Sequence, residues 1–252
     1  MGPRLSIITV TYQAESTLPL TLLSTANQSW RQWEHIFVDG GSTDGTLNMI
    51  EAYLAKAPAG QVISEKDKGI YDAMNKGLQR ARGEYVVFLN SGDSFWDEST
   101  LERLFSDGPE GMDILYGDHR YVDEKGQILS SKRRARPYPH GKLSVSHFRT
   151  GMSICHQALF VRREKAPLYD LSYTLAADLD WTIRLLQQPL STYDSGKVLI
   201  RYLIGGVSAR RLRRYIIERT RILYKHFGMG AVLESFWAVV KNHLRGGYPS
   251  VE

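Results

Sequence analysis

Four short stretches of the chain concentrate carboxylates, amides and glycines: Thr11-Tyr-Gln-Ala-Glu15, Asp39-Gly-Gly-Ser-Thr-Asp-Gly45, Glu65-Lys-Asp-Lys-Gly69 and Asn90-Ser-Gly-Asp93. Each closes a short run rich in β-branched and apolar residues. In open α/β sheets the functional groups collect at the carboxyl ends of the strands, so four acidic or polar exits on one edge of one sheet make a site. The familiar phosphate loops are missing: no Gly-x-Gly-x-x-Gly follows the first run, and no Gly-Lys-Ser/Thr loop occurs anywhere. Carboxylates facing phosphates repel one another. An acidic edge that holds a nucleotide diphosphate therefore calls for a divalent cation between them, and Mg²⁺ or Mn²⁺ with oxygen ligands suits that task.

The elements that must position these loops are legible from periodicity. The runs Leu5 to Thr11, His35 to Val38, Val62 to Glu65 and Tyr85 to Leu89 read as strands. They alternate with helical patterns over Ser16 to Gln28, Thr46 to Lys56 and Ile70 to Arg82. In the last, Ile70, Ala73, Met74, Gly77, Leu78 and Ala81 fall on one stripe. Such alternation predicts an α/β fold, a mostly parallel sheet flanked by helices. Farther on, Glu98 to Phe105 and Asp178 to Gln187 read as helices, and Asp113 to Tyr116 and His156 to Val161 as strands. Asp123 to Gly126 reads as a hairpin-like turn. The basic, proline-containing stretch from Ser130 to Pro139 has no period and reads as a loop. Two helical segments, Leu212 to Phe227 and Ala231 to Leu244, close the chain around Gly228 and Gly230.

Composition narrows the class. With 252 residues, 42% hydrophobic and 23% charged, the chain is ordinary globular material. Its single cysteine, Cys155, and the absence of an apolar segment of signal length after Met1 point to the cytoplasm. No stretch reaches the roughly 18 apolar residues of a spanning helix. The net charge of +5 is unevenly placed. From Ala209 onward nine lysines and arginines face three glutamates, which leaves the remainder near neutrality. That pattern argues against a nucleic-acid surface and for a local contact with something anionic.

Taken together, Ser6-Ile-Ile-Thr-Val-Thr-Tyr12, Val38-Asp-Gly-Gly-Ser-Thr-Asp-Gly45, Glu65-Lys-Asp-Lys-Gly69 with Asp72 and Asn75, Gly83-Glu-Tyr-Val-Val-Phe-Leu-Asn90 and Asp178-Leu-Asp-Trp181 resemble the glycosyltransferase family 2 enzymes of GT-A fold. The branch most resembled makes bacterial exopolysaccharides such as colanic acid. The resemblance runs from about Leu5 to Ser208. It implies a GT-A domain over 1–208 followed by a basic, amphipathic helical tail over 209–252. The implied activity is inverting, metal-dependent transfer of a sugar from a nucleotide diphosphate, with uridine the expected base, to a saccharide or polyprenyl-linked saccharide at the inner face of the membrane. Thr11, Tyr12, Glu15 and Asp39 would then hold the donor, with Asp72, His156, Trp181 and Asn90 as further substrate contacts. Gly205-Gly-Val-Ser208 with Arg210 resembles a closing loop whose Ser208 and Arg210 would meet the diphosphate. The family's metal motif is commonly Asp-x-Asp. Here Asn90-Ser-Gly-Asp93 keeps one carboxylate, which makes Asp93 the metal ligand. Asp180, beside Trp181, matches the general base, and Asp178 is the second choice.

Each assignment has a plainer reading. Asp44 reads more readily as turn chemistry and the N-cap of a helix, and Asp178 as a cap of its helix with Asp180 favoured by the dipole. Cys155 reads as core, and Trp30, Trp33 and Trp96 as packing. The tail stripe of Leu212, Tyr215, Ile216, Ile222, Leu223 and Phe227 suits packing on the domain as well as an anionic lipid surface. Two other function classes remain open from sequence: a nucleotidyltransferase, whose usual Gly-rich basic loop is absent, and a degenerate nucleotide- or saccharide-binding module.

Overall fold

Continuous apolar runs set the centre of the molecule. Leu5–Thr11 (β1) and Trp33–Asp39 (β2) are buried along their whole length, as strands of a parallel sheet covered on both faces must be. The computed structural model describes residues 2–106, 108–124, 126–129, 138–205 and 211–244, with side chains to residue 241. The other strands are Gly60–Ser64 (β3), Tyr85–Phe88 (β4), Ser94–Phe95 (β5), Ile114–Val122 (β6), Leu159–Arg162 (β7) and Thr192–Leu203 (β8). They form one eight-stranded sheet in the order β3-β2-β1-β4-β7-β6-β8-β5. The first four strands are parallel, β7 runs antiparallel between β4 and β6, and β8 pairs parallel with β6 while carrying β5.

Helices Leu18–Ala26 (α1), Thr46–Leu54 (α2), Ile70–Arg80 (α3), Thr100–Ser106 (α4) and Ala177–Leu186 (α5) flank this sheet. The expected α/β architecture with a mostly parallel first half is the one observed. In α3 the apolar stripe packs on β1, although Ile70 at its start is exposed. Gly77 permits the close approach, since a Cβ there would lie 2.4 Å from Ile8 Cγ2.

Differences from expectation are confined to the second half. The strand foreseen at His156 starts only at Leu159, because His156–Ala158 form a 3₁₀ turn. Strand β8 was not foreseen. Its exposed middle at Gly196 and Lys197 breaks the alternation that marks a half-buried strand. The turn at Asp123 forms, with Gly126 N–H bonded to Asp123 C=O and an antiparallel bridge between Val122 and Ile128. Most of the basic stretch, 130–137, lies outside the described residues.

The C-terminal helix Leu212–Leu244 (α6) is broken at Gly228, whose φ of 75° no helical residue adopts. Of the stripe expected along its first half, Ile222 and Leu223 are buried in the main core, Tyr215 and Phe227 pack against it, and Leu212 and Ile216 are exposed. Each such buried side chain stabilises by about 1.5–3 kcal/mol. Arg149 grips Glu234 through Nε at 2.7 Å and a second nitrogen at 3.0 Å. Arg219 donates to Thr150 C=O at 2.6 Å. Through these residues α6 packs into the same core as the sheet.

Candidate active site

Strand register builds the first half of the site. Thr11 lies level with Asp39 across β1 and β2, and Asp39 level with Ser64 across β2 and β3. Three strand ends thus converge on one buried carboxylate. Asp39 accepts from Thr11 Oγ1 at 3.0 Å, Ser64 Oγ at 2.9 Å, the N–H groups of Gly41 and Ser42 at 3.0 and 2.8 Å, and the Ser42 hydroxyl. Burial works to raise its carboxyl. The bonds from Ser42, Ser64 and Thr11 outweigh burial and hold it below the usual carboxylate range. An ionised carboxylate offers about four lone-pair positions, and five donors already occupy Asp39. With these bonds it fixes the Gly40–Ser42 turn.

The neighbouring loop is zipped to that turn. Gln13 Oε1 accepts from the N–H groups of Thr43 and Asp44 at 2.9 and 3.2 Å, and Glu15 Oε2 accepts from Gly45 N–H at 3.1 Å. Asp44 accepts the Thr46 N–H at 3.1 Å in a local turn ahead of α2, whose N-cap is Gly45 and not Asp44. Tyr12, 68% exposed, is left facing solvent above this loop. Asp72 accepts from Lys68 N–H at 3.0 Å and lies 3.6 Å from Lys76, which orders the loop before α3.

The exit of β4 is a different environment. Asp93 is buried, with one oxygen accepting from Gln157 Nε2 and the other from Leu203 N–H, both at 2.9 Å. It has no cationic partner among the described residues, and burial pushes its carboxyl up to about 7 despite those bonds. Beside it, the buried Asn90 Oδ1, Gln157 Oε1 and His156 Nε2 have no hydrogen-bond partner among the described residues. Buried polar groups are seldom left so. Among the described residues no three His, Cys, Asp or Glu side chains form a metal cluster. A Mg²⁺ or Mn²⁺ that takes one or two protein oxygens plus phosphates and waters needs no such cluster, and an unfilled amide oxygen beside an uncompensated carboxylate fits that pattern.

Helix α5 carries both candidate bases. Asp180 is fully buried, bonded to Arg184 Nε at 2.6 Å, His226 Nε2 at 2.8 Å and Lys225 Nζ at 3.1 Å. Burial favours its neutral form, but these three partners hold it far below the usual range. Both oxygens of Asp180, the first-choice base, are thus engaged within the fold. Asp178 lies in the same first turn and is partly exposed. Its Oδ1 accepts from Tyr71 OH at 3.2 Å, and its Oδ2 lies 3.6 Å from His156 Nδ1. It does not cap α5, whose N-cap is Ala176.

Trp181 is fully buried, stacks on Tyr169 at 5.3 Å and donates to Pro167 C=O, so it packs in the core under the first turn of α5. His156 and Gln157 both reach site carboxylates because the 3₁₀ turn breaks the strand alternation. Tyr71 escaped notice; it falls on the buried side of α3, where an aromatic residue ordinarily reads as core. Tyr202 links the two halves: burial first, then the charges of Asp93 and Asp178, raise its phenol well above the ordinary value. Ser208 and Arg210 lie outside the described residues.

Residues 6–166 match the sequence profile of Glycosyl transferase family 2. A Mycobacterium bovis protein named as a PGL/p-HBAD biosynthesis glycosyltransferase is 33% identical over 194 residues, 75% of this chain and 72% of that one. A Bacillus subtilis protein named for teichuronic acid biosynthesis, TuaG, is 39% identical over 244 residues, 95% and 94% of the two chains. The colanic-acid branch is thus not singled out. Among solved structures, S. aureus TarS 1-349 in complex with UDP-GlcNAc superposes with a TM-score of 0.64 at 19% identity, over 97% of this chain and 73% of that one. The mannosyltransferase PcManGT from Pyrobaculum calidifontis, in complex with GDP-Man and Mn²⁺, gives 0.65 at 18% identity, over 97% and 74%. At such identities these two likenesses establish the fold.

Proposed function

The chain belongs to glycosyl transferase family 2, and on that premise we propose that it is an inverting transferase with Asp178 as its general base. The supporting observation is the contrast within one helical turn: Asp180 is enclosed by Arg184, Lys225 and His226, while Asp178 is partly open and held between Tyr71 and His156. The donor is a nucleotide diphosphate-sugar, a UDP-sugar by preference, seated on the ordered loops that leave β1 and β2. The acceptor is a saccharide or lipid-linked saccharide of cell-surface polysaccharide assembly.

Inversion needs one displacement. As the acceptor oxygen bonds to the anomeric carbon, its proton passes to Asp178 and the nucleotide diphosphate departs with the electron pair of the broken bond. Tyr71, kept protonated by burial and then by the Asp178 charge, donates to the carboxylate and fixes its orientation. His156 Nε2 supplies an unfilled polar atom for the substrate. A divalent cation held by Asp93 and the Asn90 amide oxygen would offset the charge of the leaving diphosphate.

No helix is long and apolar enough to cross a membrane among the described residues. The exposed stripe Met229, Leu233, Phe236 and Trp237, with exposed arginines 213 and 221 on the same element, suits a peripheral contact with anionic lipid. Binding to phosphatidylglycerol vesicles that weakens as salt rises supports that contact; indifference to such vesicles removes it.

The test of the central reading is a panel of UDP- and GDP-sugars with Mn²⁺ and polyprenyl-diphosphate-linked saccharides. The expected result is release of free nucleoside diphosphate and a product of inverted anomeric configuration by NMR. Retained configuration overturns the single displacement, and no release from any donor overturns sugar transfer.

A further inference from the structure

The turn that carries Asp178 into the site brings no cap of its own. Ala176 occupies the N-cap position of α5, where no side chain accepts a hydrogen bond. Backbone N–H groups at a helix start have no intrahelical acceptor and need one from elsewhere. Of these, the N-cap amide of Ala176 is served from α6, together with the amides of the two residues before it. Glu218 Oε2 accepts from the N–H groups of Leu175, Thr174 and Ala176 at 2.8, 2.9 and 3.2 Å, and Oε1 from Thr174 Oγ1 at 2.8 Å. Glu218 is 4% exposed, and Arg214 Nε, one helical turn earlier, donates to Oε1 at 3.0 Å.

Three convergent N–H groups, a hydroxyl and a guanidinium are more than helix packing requires. An anion at a helix N-terminus is also favoured by the dipole. Farther along α6, Lys225 and His226 hold Asp180. The first turn of α5 is therefore pinned from behind at two places by one element, and Asp178 lies between them on the open side.

We infer that α6 is the positioning element of the general base, and that Glu218 is its positioning residue, acting on the reaction through Asp178 alone. This rests on the reading of Asp178 as base. Glu218 orders residues 174–176, and these set where the Asp178 carboxylate stands relative to Tyr71 and the acceptor. Displacements of about 1 Å far from the reacting atoms can cost on the order of a hundredfold in rate, so the arrangement is kinetically consequential.

The experiment compares Glu218→Gln, Asp178→Asn and the double variant. Turnover is read as UDP or GDP released from the sugar nucleotide of the UDP/GDP panel that the wild type uses, and donor affinity is read by calorimetry. Glu218→Gln keeps the side-chain shape. It is expected to lower kcat by about tenfold to a hundredfold with donor affinity unchanged, and to speed hydrogen exchange at the amides of Thr174, Leu175 and Ala176. In the double variant, Glu218→Gln should cost nothing beyond Asp178→Asn, because residues acting through one group are not additive. Losses that multiply, or that fall equally on donor affinity, overturn the inference by making Glu218 a general stabiliser. Wild-type turnover in Glu218→Gln beside an inactive Asp178→Asn overturns it and leaves the base in place. Full activity in Asp178→Asn overturns the base and this inference with it.

Discussion

The two halves of the site are built in opposite ways. At the exits of β1 and β2, proposed for the donor, Asp39, Asp44, Gln13 and Glu15 are satisfied by neighbouring backbone and hydroxyl groups, brought together by strand register and the two loops that follow. On the acceptor side, Asp93, His156, Gln157 and Asp178 come from segments far apart in the chain, and Asn90 Oδ1, Gln157 Oε1 and His156 Nε2 stay unfilled. A buried group without a partner costs about 1–3 kcal/mol. Carboxylates saturated by their own fold are architecture; polar atoms left open are where ligand, cation or proton must come.

The sharpest way to break this contrast is within α5. Asp178→Asn should lower turnover by about two to four orders of magnitude while donor affinity and fold persist. Asp180→Asn should act chiefly on the fold, costing about 1–3 kcal/mol in denaturant unfolding, since it weakens bonds to Arg184, Lys225 and His226, while turnover per folded molecule falls far less than in Asp178→Asn. An inactive but stable Asp180→Asn would return the base to Asp180. On the open side, Gln157→Leu removes the Nε2 donor that orients Asp93. Outer partners of metal ligands are typically worth about 10–100-fold in metal affinity, so the Mn²⁺ concentration for half-maximal activity should rise by that factor. No shift would detach Asp93 from the cation.

Smaller effects belong to the saturated side. Asp39→Ala strands Ser42, Ser64 and two N–H groups, and loosening of the Gly40–Ser42 turn should weaken nucleotide binding by roughly tenfold, about 1.4 kcal/mol. Calorimetry showing unchanged affinity would remove this turn from the donor pocket. His35, buried in β2 and bonded to Thr9 and Tyr53 at 2.9 Å, bears on stability and not on turnover. Burial holds its imidazole down to about 3, below the 6.5 of the unfolded chain. The unfolded state therefore binds more protons between these values, and the stabilising contribution of neutral His35 is present above about pH 6.5 and lost as pH falls toward 3. The slope from this one proton approaches about 1.4 kcal/mol per pH unit. His35→Gln should flatten that part of the acid limb in denaturant midpoints, and an unchanged limb would assign it to other groups.

How much of this was written in the sequence follows from the range of the interactions. Strands β1 to β4, helices α1 to α3 and the four polar exits were legible because apolar runs, helical stripes and glycine-rich turns are local, and a parallel half-sheet then sets its own register. The second half resisted the same reading. Strand β8 is interrupted at Gly196 and Lys197, and the 3₁₀ turn at His156 has no periodic signature. The sequence placed Asp178 and Asp180 in one helical turn, and two residues apart on a helix do not share a face. It could not say which face meets the strand exits. That was decided by the packing of α5 beneath α6, where Lys225, His226 and Arg184 claim Asp180 and leave Asp178 to Tyr71 and His156. Trp181 followed the same decision, buried against Tyr169 because the helix turned that way. Local chemistry determined which residue types the site would hold; only contacts between segments far apart in the chain determined which of them remain free to react.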